Sequence, residues 1–252
     1  MPNPPDNSPR SSIRLNRFLA QAGLGSRRVC DELIQKGLVT VNGEVNDQPA
    51  TQVDPEKDEV HFQGRRISLN PRLVYYLFHK PAGVITTTQD PFGRPTVLDY
   101  FKDEERIYPV GRLDFDTTGA LLLTNDGELA HRLTHPSFQV PKTYQVKVRG
   151  RVGEEKLHRM EVGIEIENGI IAKGELVTFS SSASYTLVRL RLREGRKREI
   201  KRMFLALGHK VLELHREAFA FLTVDDLEVG QWRPLRESEV RQLKELTDGH
   251  SG

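Results

Sequence analysis

GRLDFDTTGALLLTNDG, residues 111–127, sets one arginine (Arg112), three carboxylates (Asp114, Asp116, Asp126) and three glycines around an apolar ALLL run. The leucines predict a buried strand, and Asp126-Gly127 predicts the start of the helix after it. Asp114-x-Asp116-x-Thr118-Gly119 imitates the opening of a calcium loop, but the twelfth position, which needs a bidentate glutamate, is Asn125. In an extended strand the two aspartates would stand about 7 Å apart, a spacing open to paired glycosidase acids. Basic clusters elsewhere suit a polyanion better than a sugar. An Asx-type turn accounts for Asp116, helped by Thr117 and Thr118. It accounts less well for Asp114, which follows Arg112 and Leu113 at a strand end.

The whole chain has 252 residues, 37% hydrophobic and 29% charged, which suits a globular protein with a sizeable core. No apolar run approaches the roughly 20 residues of a membrane helix. MPNPPDNSPRSS lacks an apolar signal region, so a cytoplasmic protein is expected. One cysteine, Cys30, excludes a disulfide framework and a multi-cysteine zinc site. The eight histidines show no metal-ligand spacing, so no metal site is expected; His79, His131 and His135 read as structural.

Residues 1–12 and 247–252 read as tails. A first domain is expected over 13–69. Leu15, Phe18, Leu19 and Ala22 recur at helical spacing, Ser26 stands as N-cap of a second helix, and Gly37 ends it. Val39 and Val41 then alternate into an Asn42-Gly43 turn, a hairpin signal. Asn70-Pro71-Arg72 is the expected linker. A second domain, 73–246, mixes strands (LVYYLFHK, KTYQVKVRG, GELVTF, YTLVRLRL) with helices near 127–134, 154–162, 197–207 and 237–246. Short turns between strands favour an α+β fold with a mainly antiparallel sheet.

Net charge is only +2, so any nucleic-acid footprint must be local. Arg14, Arg17, Arg27 and Arg28 form an acid-free cluster between positions 14 and 28. Arg27 and Arg28 fall in the first turn of a helix, where positive charge opposes the dipole, unless an external phosphate shares the site. RLRLREGRKREIKR, 189–202, holds eight basic residues against Glu194 and Glu199. Arg189, Arg191 and Arg193 would share one strand face. Two basic patches in a nearly neutral chain point to nucleic acid.

These residues carry a resemblance. GRLDFDTTGALLLTNDG resembles the signature of the RsuA/RluB/RluE/RluF family of rRNA pseudouridine synthases. HKPAG (79–83) is similar to that family's Lys-Pro-x-Gly loop, and KTYQVKV (142–148) to its second active-site strand. EGRKREIKRMF (194–204) is similar to its basic motif, and LELHR (212–216) with GQWRPL (230–235) to its C-terminal segment. Residues 13–69 resemble the small RNA-binding domain named after ribosomal protein S-four. Within the family, RIYPVGRLDFDTTG and HPSFQVPKTYQVKVRG most resemble the B-type enzymes, which act on large-subunit rRNA.

The resemblance implies an S-four-like domain followed by a pseudouridine synthase domain. It gives Asp114 the catalytic role. It places Tyr144 against the target base, Lys201 beside the catalytic carboxylate, Ile200 next to it and Leu214 as an apolar wall, with Arg112 available to RNA. Further RNA contacts are implied for Lys80, Arg196, Lys197, Arg198 and Arg202. Ala120 stands where leucine is common, and Arg198-Glu199 where His-Gln is frequent.

The implied chemistry fits these residue types. A uridine in folded RNA must be flipped out, and an aromatic can hold the extruded base. The carboxylate must be ionised, which a neighbouring cation favours. Asp114 would attack the sugar or base, or remove a sugar proton, and Tyr144 could take part in a proton transfer. The bond exchange occurs within one substrate, so no cofactor is expected. The implied partner is ribosomal RNA or a large-subunit assembly intermediate, and the protein is expected to act as a monomer without a membrane. A small-subunit rRNA target, or a non-catalytic RNA-binding assembly factor, are the alternatives.

Overall fold

The structure, a computed structural model, describes residues 12–69, 72–101 and 106–248. The expected tail at 1–11, Asn70 and Pro71 of the expected linker, and residues 249–252 lie outside them. The chain divides into two compact units between Leu73 and Val74.

The first unit contains β1 (Ile13–Arg14), α1 (Leu15–Gln21), α2 (Arg27–Gln35), β2 (Val39–Val41), β3 (Glu44–Val45), β4 (Gln52–Val53), β5 (Val60–Phe62) and β6 (Arg65–Ile67). Helical spacing turns Leu15, Phe18 and Leu19 inward together, against Cys30, Ile34, Val39, Val53 and Val60. Ser26 Oγ accepts from the Val29 amide at 3.2 Å and caps α2. Asn42 and Gly43, both at positive φ, close the β2–β3 hairpin. Arg27 and Arg28 are exposed in the first turn of α2, and Arg14 is exposed just before α1.

The second unit begins with β7 (Tyr75–Lys80), β8 (Tyr108–Pro109), β9 (Thr118–Thr124), α3 (Gly127–Thr134), β10 (Lys142–Arg149) and α4 (Glu154–Val162). It continues with β11 (Ile164–Glu165), β12 (Ile171–Ala172), β13 (Glu175–Ser181), β14 (Tyr185–Leu192) and α5 (Glu199–Ala206). β15 (Val211–Phe219), β16 (Leu222–Thr223), β17 (Trp232–Pro234) and α6 (Glu237–Asp248) complete it. The main sheet runs β13-β14-β10-β15-β9-β7-β17, with β8 and β16 attached to β9 and β15. Every pairing is antiparallel except β15 with β9.

β9 lies under cover on both faces, which is why its leucines form an unbroken run instead of alternating. Ala120 and Leu122 meet Leu77, Leu129, Leu133 and Leu243, and so α3 and α6. Leu121 and Leu123 meet Tyr76, Phe78, Phe101 and Ile107 on the other side. Burying each leucine contributes about 2 kcal/mol. Asp126 ends the run by accepting from the Glu128 and Leu129 amides and capping α3. Away from β9, α4 and α5 cover one face of the sheet through Leu157, Met160, Met203 and Phe204, packed on Val146, Val148 and Leu190.

Two expectations need correction. Thr247 and Asp248 are not tail but the last residues of α6, and Thr247 is fully buried. The basic strand is not an open RNA footprint. Arg189 pairs with Glu217 at 2.6 Å, Arg191 with Glu175 at 2.8 Å, and Arg193 donates to the Gln139 carbonyl. Glu175 comes from the adjacent β13 and Glu217 from β15, two strands away across β10, which the spacing within β14 cannot reveal. LELHR belongs to a nine-residue strand, β15. Its buried face carries Arg216 beside Leu214 and Ala218, so apolar alternation is interrupted where the strand is central.

The parallel β15–β9 contact pairs Arg216 with Gly119. Gly119 has φ +112°, and a Cβ there would lie 2.2 Å from the Arg216 carbonyl oxygen. Both the backbone conformation and the strand separation therefore require glycine. Gly119→Ala should lower unfolding free energy by about 3 kcal/mol or more. Urea denaturation measures this, and a midpoint equal to wild type would mean the strands do not approach so closely.

Candidate active site

A cleft of about 250 Å³ opens where the β8–β9 loop, β10, β15 and the β14–α5 connection converge. Asp114 enters it from the loop, Tyr144 and Lys142 from β10, Leu214 and Arg216 from β15, and Ile200 from α5. Alternation along β10 puts Lys142 and Tyr144 on one face, and Tyr144 stands directly opposite Arg216.

The Asp114 segment is held by its backbone. The Asp114 carbonyl accepts from the Thr117 amide at 3.1 Å and from Lys80 Nζ at 3.2 Å. Lys80 Nζ also donates to the carbonyls of Thr117 at 3.0 Å and Pro81 at 2.9 Å. Thr86 Oγ1 donates to the Leu113 carbonyl and accepts from its amide, and the Gly83 amide donates to the Phe115 carbonyl. Lys80 is fully buried, so its expected role as an RNA contact is corrected: its ammonium ties the loop from beneath. Burial brings its pKa down to about 8; the charges of Asp116 and Asp114 act against that, while Arg216 adds to it.

Lys201 Nζ lies 3.4 Å from Asp114 Oδ2 and 2.5 Å from Asp116 Oδ1. Asp116 is therefore more than a turn residue, since its carboxylate shares the cation with Asp114. Burial raises its pKa, but the Lys201 hydrogen bond and charge outweigh this and hold it below the usual carboxylate value. Tyr144 packs between two apolar clusters while facing the cleft, and Ile200 and Leu214 are buried walls. Phe115, beside Asp114, is 55% exposed.

Arg112, Arg196, Lys197 and Arg198 line the rim, all exposed. Arg196 pairs with Glu194 and donates to the Ile171 carbonyl. Arg198 has φ +52°, strained for a non-glycine residue, and its charge acts on Asp116. Arg202, also expected to contact RNA, instead pairs with Glu167 at 3.1 Å, its side chain only 19% exposed.

Three cleft residues escaped sequence reasoning although they stand inside the motifs. Lys142 is buried and donates to the Val140 carbonyl; burial and the Arg216 charge bring its pKa to about 8, against Glu199. Glu199 is buried, which raises its pKa; one oxygen accepts from the Arg196 amide and the other has no partner. Arg216 is 2% exposed, and its Nε donates to the Ala120 carbonyl at 2.6 Å. Period-two alternation from Tyr144 and Leu214 was the signal that could have found Lys142 and Arg216.

The family model for RNA pseudouridylate synthase matches residues 74–206, and that for the S4 domain matches residues 13–60. The chain is 43% identical over 238 residues to ribosomal large subunit pseudouridine synthase B of Bacillus subtilis (strain 168), covering 93% of this chain and 97% of that one. It is 41% identical over 233 residues to an uncharacterized RNA pseudouridine synthase of Aquifex aeolicus (strain VF5), covering 92% and 93%. A crystal structure of a pseudouridylate synthase matches with TM-score 0.66 at 32% identity, covering 92% of this chain and 100% of that one.

The buried lysines make a pH prediction. Folded Lys142 titrates near about 8 and an unfolded lysine near about 10.4. Between those values the unfolded chain binds more protons, so stability rises with pH across that window. Below it the penalty for burying the charged form is fully present. Lys142→Met removes this dependence. The wild-type urea midpoint should gain on that variant between about pH 7.5 and about pH 9.5, and parallel midpoints would place Lys142 in solvent.

Proposed function

The chain belongs to the RNA pseudouridylate synthase family, and from that membership we propose that it isomerises a uridine of large-subunit ribosomal RNA at the Asp114 cleft. The observation that carries this is the meeting of Asp114 and Tyr144 in one cleft, with Lys201 on the carboxylate. The large-subunit target is supported by the Bacillus subtilis relative, whose name states it.

A base paired and stacked in folded RNA could not reach Asp114 at the cleft, so the target nucleotide would leave the stack to react. Tyr144 would hold it by stacking, with Ile200 and Leu214 excluding water. Asp114 would engage the sugar or base while the C1′–N1 link breaks and a C1′–C5 link forms. Rim cations Arg112, Lys197 and Arg198 would hold phosphates, and the S4 unit would add affinity through Arg14, Arg17, Arg27 and Arg28. A ribosomal RNA substrate supports a cytoplasmic location, and on this reading the protein acts as a monomer. Among the described residues no helix is long and apolar enough to cross a membrane.

Large- and small-subunit rRNA transcripts carrying tritium at uracil carbon five provide the test. Tritium should be released from the large-subunit transcript, and Asp114→Asn should abolish release while RNA binding persists. Undiminished release by that variant would remove Asp114 from the chemistry, and release from the small-subunit transcript alone would reassign the target. Arg27→Glu with Arg28→Glu should weaken RNA binding and reduce the slope of log affinity against log salt by about 1.5, as for two lost phosphate contacts. An unchanged slope would put the phosphate contacts on other residues.

A further inference from the structure

Arg216 lines the cleft floor between Tyr144 on one neighbouring strand and Gly119 on the other. Its Nε is committed to the Ala120 carbonyl, whereas its buried Nη2 has no partner. Among the described residues no carboxylate pairs with it. An arginine this buried normally has a counter-charge, because desolvating a guanidinium is costly. Lys201, the other cation at the reacting centre, is occupied by Asp114 and Asp116. Lys80 is occupied by three carbonyls. Lys142 donates to the Val140 carbonyl, so among the described floor cations Arg216 is the one with a buried nitrogen that makes no hydrogen bond.

We propose that Arg216 is a further catalytic residue, whose guanidinium contacts the uracil ring and stabilises the negative charge it carries once detached from the sugar. This rests on Asp114 being the reacting carboxylate. When the C1′–N1 bond breaks, its electron pair stays on the ring, shared among N1, O2 and O4. Asp114 meets the electron-poor sugar, either by bonding C1′ or by taking the C2′ proton. The ring turns, C5 supplies an electron pair to C1′, and the carboxylate or the proton it took is given back. C5 then loses its proton and N1 gains one, so the product is an isomer. The anionic ring exists only between the two bond changes, and a fixed buried cation favours that state over the bound substrate. Burial and the Arg216 charge together depress Lys80 and Lys142, which agrees with a floor carrying unneutralised positive charge.

A flanking phosphodiester is the competing anion, and kinetics separate the two. In single-turnover reactions on the rRNA substrate, Arg216→Gln should slow C1′–N1 cleavage about 100-fold while leaving RNA affinity and its salt dependence unchanged. Arg216→Lys should recover part of the rate. With 5-fluorouridine at the target position, fluorine withdraws charge and stabilises the detached ring, so the Arg216→Gln defect in substrate consumption should shrink several-fold. The ratio of the two rates within one preparation does not depend on how much of the variant is folded. Equal defects on both substrates would overturn the proposal in favour of a structural role. Weakened binding with a flatter salt slope and an unchanged saturating rate would overturn it in favour of a phosphate contact. Wild-type turnover in the same assay is what the Asp114 reading requires, so a defect confined to the variants bears on Arg216 alone.

Discussion

The buried ammonium of Lys80 is the contact on which the site depends. β7 ends at Lys80, which pairs with Gly119 at the start of β9, so the side chain is delivered beneath the loop that precedes β9. A charge taken out of water is costly unless it is hydrogen-bonded, and here carbonyls of Pro81, Asp114 and Thr117 supply the bonds. The cost of burying Lys80 is thereby linked to one loop geometry. A different path for residues 114–117 would leave the ammonium unsatisfied, so the carboxylate is aimed by a constraint acting on its own backbone.

That constraint also explains why two aspartates are needed near one reacting centre. Lys201 is placed by α5 and reaches Asp116 more closely than Asp114. Asp116 anchors the cation, leaving Asp114 a weaker hold on it and a carboxylate still open to the cleft. A lysine bonded to Asp114 alone would occupy the carboxylate that the proposed reaction uses. The loop therefore carries one acid facing the cleft and a second that holds the shared lysine.

The catalytic-domain elements were legible where a single strand or helix reports its own burial. The ALLL run and the Asp126 cap are of this kind, whereas Asp114, Tyr144 and Lys201 were singled out by the resemblance of their motifs to a known family. Cations were harder. In sequence Lys80, Lys142 and Arg216 look like Arg189 or Arg191, yet the first three are buried and the last two are paired at the surface. Whether a cation is solvated, paired or enclosed depends on the neighbouring strand, and strand order is not written in local periodicity. Glu199 illustrates the same limit: within a basic motif it reads as a solvated acid, while α5 in fact turns it into the cleft floor.

Placing cations beneath an apolar cleft has an energetic logic. Tyr144, Ile200, Leu214 and Phe219 line the cleft with apolar surface, and in the low dielectric of such a site a charge interacts far more strongly than it would in water. The exposed rim cations act across solvent, where salt screens them, so they suit gathering a polyanion but not distinguishing one electronic state of a base from another. Enclosed cations have the opposite character: they add little to the capture of RNA, and their effect is concentrated on whatever charge develops at the floor. On the proposed reading, binding and reaction fall to different cations according to their burial.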